Sequence, residues 1–90
     1  MRYEWDDEKR RGNVTKHGVD FAAIEDFHWE SAYIALDLRS GERRFIAVGF
    51  VGERLHVAVY TRRGLNRRII SLRKANRREA RRYAQIQRTK

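Results

Sequence analysis

The stretch that decides the fold is residues 33–72, YIALDLRSGERRFIAVGFVGERLHVAVYTRRGLNRRIISL. Ile34, Leu36 and Leu38 alternate with Tyr33, Ala35 and Asp37. Ile46, Val48 and Phe50 repeat the alternation, and so do Leu55, Val57 and Val59 against His56, Ala58 and Tyr60. A period of two belongs to a strand, whose side chains point to opposite faces in turn. Ser40-Gly41, Gly52-Glu53 and the break at Gly64 to Asn66 interrupt the pattern with turn-forming residues. Arg68 to Leu72 is the last run. Links this short join only antiparallel neighbours, so the segment predicts a four-stranded antiparallel meander.

Helical signals flank the meander. Tyr3 to Trp5 predicts a short strand. Asp6 is placed to cap a helix over Asp7 to His17, with Asp7 and Glu8 in its first turn, Lys16 and His17 in its last, and Gly18 at the C′ position. Asp20 predicts a second cap. Val19 and Ile24 hold the N′ and N4 positions of a hydrophobic staple, so Phe21 to about Phe27 is expected as a short helix. After the meander, Asn76 with Glu79 three residues on forms a capping-box pattern. Ala80, Tyr83 and Ala84 then supply an apolar stripe, with Arg77, Arg78, Arg81 and Arg82 on the other faces. The expected fold class is α+β: two N-terminal helices, a four-stranded antiparallel meander and a C-terminal helix, arranged in two layers.

The chain has 90 residues, which predicts one small domain spanning residues 1–90 with a thin core. Without cysteine it has neither disulfides nor thiolate metal sites. Neither a secretory signal nor a membrane span is visible, so a cytoplasmic location is the default expectation. The net charge of +9 is unevenly placed. Residues 1–60 hold 9 Lys or Arg and 11 acids, or −2, whereas residues 61–90 hold 12 and one, or +11. Such a one-sided basic surface attracts a polyanion. Arginine outnumbers lysine there, which favours planar phosphate contacts, and Tyr60 and Tyr83 interleave with it as faces for unpaired bases. Nucleic acid is therefore the leading partner. A membrane is disfavoured, because the last helix lacks the bulky apolar face of an interfacial helix.

Catalytic groups are few. His17, His28 and His56 match no zinc spacing, so neither a metal nor another cofactor is expected. The basic third contains a single acid, Glu79. Each candidate also has a structural reading: Glu79 as a capping residue, His17 as a helix end, His56 as strand packing, Tyr83 as the core stripe. One reaction class suits so sparse a set. RNA carries its own nucleophile in the 2′-hydroxyl, arginines can neutralise the phosphorane, and one acid and one base complete the proton transfers.

Three segments carry a family likeness: YEWDDEKRRGNVTKHGVDF, GERRFIAVG and VYTRRGLNRRIISLRKANRRE. In this order and spacing the sequence resembles the BrnT family of toxins from bacterial type II toxin–antitoxin systems. The resemblance implies a RelE-like fold and an endoribonuclease that halts translation. It implies a cognate, BrnA-like, DNA-binding antitoxin, with operator DNA bound only through the complex and no membrane partner. It carries over to Lys16, His17, Arg63, Arg68, Ser71, Arg73, Lys74, Glu79 and Tyr83. Arg62 departs from the family, which often has an acid there, and Leu72 replaces a usual alanine.

On that basis Arg63 and Arg73 are expected at the scissile phosphate, with Glu79 orienting an arginine or acting as base, and Tyr83 or His17 as acid. Lys16, Arg62, Arg68, Lys74, Arg77, Arg78 and Arg81 are expected to bind RNA. Two other readings use the same charge: a non-catalytic nucleic-acid-binding module, and a basic subunit that assembles with an acidic protein.

Overall fold

The computed structural model describes residues 2–39 and 41–89; Ser40, half of the expected Ser40-Gly41 turn, lies outside them. The described residues form a five-stranded mixed sheet in the order β1-β5-β4-β3-β2. Strands β2 (Tyr33–Asp37), β3 (Arg44–Val51), β4 (Arg54–Arg63) and β5 (Asn66–Lys74) make the expected antiparallel meander. The meander is not the whole sheet. Strand β1 (Tyr3–Glu4) joins it in parallel, with Tyr3 opposite Arg67 and Glu4 opposite Arg68. A short strand is expected at Tyr3 to Trp5, but nothing local shows that it pairs in parallel with β5, because its partners lie 64 residues on.

Helix α1 runs over Asp7–His17, as its caps predict. The Asp6 carboxylate accepts from the Lys9 N–H, and Gly18 closes the helix at φ +71, donating its N–H to the Val14 carbonyl. Instead of a second α-helix, the chain forms a 3₁₀ helix at Phe21–Asp26 and another at Trp29–Ser31. So short a segment cannot repay α-helix nucleation. Its three-residue repeat also brings Phe21, Ile24 and Phe27 into one buried cluster. Helix α2 (Arg77–Arg88) starts with the predicted capping box between Asn76 and Glu79.

The two-layer expectation is corrected as well, since helical segments cover both faces of the sheet. Both alternating sets of β3 and β4 are apolar, so each face requires cover. On one face Ala47, Ala58, Tyr60, Ile69 and Leu72 pack with Phe21, Ile24 and Phe27. On the other, Leu55, Val57, Val48 and Phe50 pack with Tyr83 of α2. Gly49 allows the 3₁₀ segment to approach, because a Cβ there would stand 2.8 Å from the Phe27 ring. At the β2 edge the alternation misleads: Ile34 is 43% and Leu36 50% exposed, since neither covering layer extends over them.

The outer edge of β5 beyond Arg68 is closed by a side chain. The Asn13 amide donates to the carbonyls of Leu72 at 2.7 Å and Val19 at 2.8 Å, and its oxygen accepts the Leu72 N–H at 3.3 Å. It thereby makes the two bonds of a neighbouring strand while fastening α1 to the sheet. Asn13 is buried, so Asn13→Ala leaves those groups unsatisfied. Such a variant should lose about 3 kcal/mol of stability in urea unfolding.

Candidate active site

Helix α2 covers only one end of its face of the sheet. Its N-terminus follows Ala75, and at its far end the Tyr83 hydroxyl and the Gln87 amide both donate to the Ser31 carbonyl, at 2.7 and 3.0 Å. Beside it on the same face α2 leaves a half-buried strip of sheet, the groove, where Ile46, Val59 and Ser71 stand at successive register positions. One wall is Arg73, Glu79 and Arg82. The other is the far end of the strands, with Arg44, Arg63 and Arg68. Between α2 and strands β2 and β3 is a pocket of about 140 Å³ lined by Tyr33, Val48, Glu79, Arg82, Tyr83 and Ile86.

Arg73 is the best-fixed cation of the groove. Its two terminal nitrogens donate to the two Glu79 oxygens at 2.9 and 2.7 Å, a bidentate pair. Glu79 Oε1 also accepts the Asn76 N–H at 2.9 Å. The Arg73 hydrogen bonds are the main reason the Glu79 carboxyl sits below its ordinary value of 4.5. Glu79 raises the Arg73 pKa in turn. So Glu79 orients an arginine and caps α2 at once, and its engaged, acidified carboxylate makes a poor general base.

A second cluster sits at the other wall. Glu4 accepts from Asn66 at 3.0 Å and from Arg68 at 3.2 Å. These two bonds, Asn66 first, lower the Glu4 pKa, and the nearby Arg63 adds to the effect. Arg63 is exposed and pairs in register with Asn66, whereas Arg73 pairs with Val57. Val57 and Arg63 lie six residues apart on β4, or about 20 Å at strand rise. Arg63 and Arg73 therefore belong to opposite walls and do not converge on one phosphate.

The remaining expected residues are scattered. Tyr83 is buried with its hydroxyl given to Ser31, which suits packing rather than proton transfer. His17 ends α1, which is fastened to the other face of the sheet, and exposed Lys16 adjoins it. Lys74 is exposed and pairs in register with His56. His56 is buried, its Nδ1 2.8 Å from the Arg54 carbonyl oxygen. Arg77, Arg78 and Arg81 are exposed on α2, and exposed Arg62 lies across the sheet from Arg63. Sequence reasoning missed Glu4, Asn66, Tyr33 and Arg44. Only the β1–β5 pairing brings Glu4 to Arg68, and no local pattern announces it. Among the described residues, no three His, Asp or Glu side chains are grouped to hold a metal ion, and no helix is long and apolar enough to cross a membrane.

A family model described as "Ribonuclease toxin, BrnT, of type II toxin-antitoxin system" matches residues 5–79. The chain belongs to this family. Among solved structures, the 1.1 Å crystal structure of the Brucella abortus ribonuclease toxin BrnT superposes with a TM-score of 0.70 at 32% identity, covering 86% of this chain and 99% of that one. Comparison with curated protein sequences gave no match. Membership of the BrnT family accounts for the basic groove: its members are ribonuclease toxins, whose substrate is RNA and whose partner is an antitoxin.

The Arg73–Glu79 pair has a consequence for acid stability. The folded state depresses the Glu79 pKa, so its contribution is present above the ordinary glutamate range and is lost as pH falls through the folded value. Glu79→Gln should lower the melting temperature at pH 7 and flatten its decline between about pH 5 and pH 3. Thermal melts across that range test this.

Proposed function

We propose that this BrnT-family chain cleaves RNA without a metal ion, using the 2′-hydroxyl of the substrate as nucleophile, in the groove beside α2. The observation that carries this reading is Arg73, held by a bidentate carboxylate at the wall of an open groove. A guanidinium fixed in advance costs no reorganisation as the phosphorane gains charge, which is the condition for strong electrostatic stabilisation. Arg82, at the small pocket, is the second cation for that phosphate, and Tyr33 in the same pocket supplies a phenol for a proton transfer. Arg63 and Arg68 at the opposite wall bind a neighbouring phosphate.

Cleavage of this kind in the cytoplasm halts translation. A cognate antitoxin relieves it most simply by covering the groove with acidic or apolar residues, and in the BrnA-like case it brings the complex to operator DNA.

The test is cleavage of a defined single-stranded RNA in EDTA, with DNA of the same sequence as control. Intact protein should cut the RNA and spare the DNA. Arg73→Ala should slow turnover by roughly a hundredfold while RNA binding falls much less. Binding without cleavage, by RNA and DNA alike, would instead mark a non-catalytic module. Tyr83→Phe should lose about 1 kcal/mol of stability and keep most of the turnover, because its hydroxyl serves the Ser31 carbonyl.

A further inference from the structure

Arg62 and Arg67 face each other directly across β4 and β5. They project from the face that α1 covers, opposite Arg63 and Arg68. Like charges at directly opposed positions of an antiparallel pair repel. Among the described residues the ion pairs involve Arg10, Arg39, Arg68 and Arg73, and none reaches Arg62 or Arg67.

Arg67 is nonetheless held in place. Its guanidinium carbon lies 3.5 Å from the centroid of the Trp29 ring and 5.5 Å from that of Tyr60. Trp29 is fixed in turn: its indole N–H donates to the Tyr3 hydroxyl at 2.6 Å, and its ring packs 4.5 Å from that of Phe27. The Arg67 Nε is buried without a partner. Stacking satisfies the flat face of a guanidinium and leaves its terminal N–H groups for an acceptor in its plane. Exposed Arg62 adds a second charge at the neighbouring position. The arrangement has the parts of a phosphate site: an immobilised planar fork, a second cation one strand away and, among the described residues, no acid paired with either.

We propose that Arg62 and Arg67 bind the phosphate backbone of the RNA substrate on the face of the sheet opposite the cleavage groove. The β4–β5 turn then carries four arginines, two to each face, because consecutive strand positions alternate. A single strand of RNA leaving the groove over this turn meets Arg63 and Arg68 on one side and Arg62 and Arg67 on the other. RNA suits the site better than an acidic peptide because this row is continuous with the groove and an RNA strand carries a charge at every nucleotide. The proposal rests on the ribonuclease reading above.

The experiment uses labelled 2′-O-methyl RNA, which lacks the nucleophile, as a 12-mer and a 3-mer. Binding is measured by fluorescence anisotropy over a range of salt for the native chain, Arg62→Gln, Arg67→Lys and the double variant Arg62→Gln/Arg67→Gln, with thermal melts to check folding. The double variant should bind the 12-mer about tenfold more weakly, with the salt slope reduced by about 0.7 for each phosphate no longer neutralised and a smaller effect on the 3-mer. Arg67→Lys keeps the charge but not the fork, and should show part of the weakening. If the double variant does not fold, Arg62→Gln at its exposed position reads one phosphate alone. Folded variants with unchanged affinity and slope overturn the proposal. So does unchanged RNA binding combined with weakened binding of the cognate antitoxin, which would assign the row to an acidic protein. A native chain that cuts RNA while the variants bind as it does sinks only this inference; a native chain that neither binds nor cuts RNA sinks the ribonuclease reading as well.

Discussion

Among the described residues no strand lies beside the outer edge of β5 beyond Arg68, and the Asn13 side chain occupies that place. A carboxamide presents the same donor and acceptor as a peptide group, so one residue completes the ladder where the two-residue β1 stops. The same side chain fastens α1 to the sheet and, through the Val19 carbonyl, sets where the 3₁₀ segment begins. That segment places Phe21, Ile24 and Phe27 in the core and leads to Trp29, on which Arg67 rests. A single buried polar residue thus links the N-terminal third to the strand that carries Arg67, Arg68 and Arg73.

The sheet is a thin partition between two clusters of apolar side chains, with charge collected at its ends and on α2. In a chain this short, two covered faces are an economical use of few apolar residues, because every central strand position packs against something. The arginines are then confined to strand ends and helix faces. Among the described residues four are paired with an acid: Arg10 with Asp20, Arg39 with Asp37, Arg68 with Glu4 and Arg73 with Glu79. These pairs hold a guanidinium in one orientation, a different task from neutralising net charge. A folded surface carrying such unrelieved repulsion is readily understood when a polyanion completes it, and the substrate of a BrnT-family toxin is RNA.

Much of this is legible in the sequence, and where it is not the cause is physical. The period-two alternation within residues 33–60 marks three of the meander strands, and the break at Gly64 to Asn66 marks the fourth. It does not tell that Ile34, Leu36 and Leu38 are exposed, because alternation shows that two faces differ but not which of them is covered. Glu79 is recognisable as both cap and partner of an arginine, since each role depends on neighbours within six residues. Glu4 escapes notice because its partners are 62 and 64 residues away. Arg63 and Arg73 look like one site along the chain and prove to be two walls of a groove.

The sequence by itself determined the helix limits through Asp6, Gly18 and Asn76, the strand periods, the basic final third and membership of the BrnT family. These rest on interactions between residues a few positions apart, whose energies local composition dictates. Only the tertiary structure decided which arginines share a wall, that Tyr83 spends its hydroxyl on Ser31, and that Arg67 lies on Trp29. Those outcomes depend on how α1 and α2 divide the two faces of one sheet. That division is set by what each helix docks through, the Asn13 amide of α1 on the Leu72 and Val19 backbone and Tyr83 of α2 among Leu55, Val57 and Phe50, contacts between residues far apart in the chain.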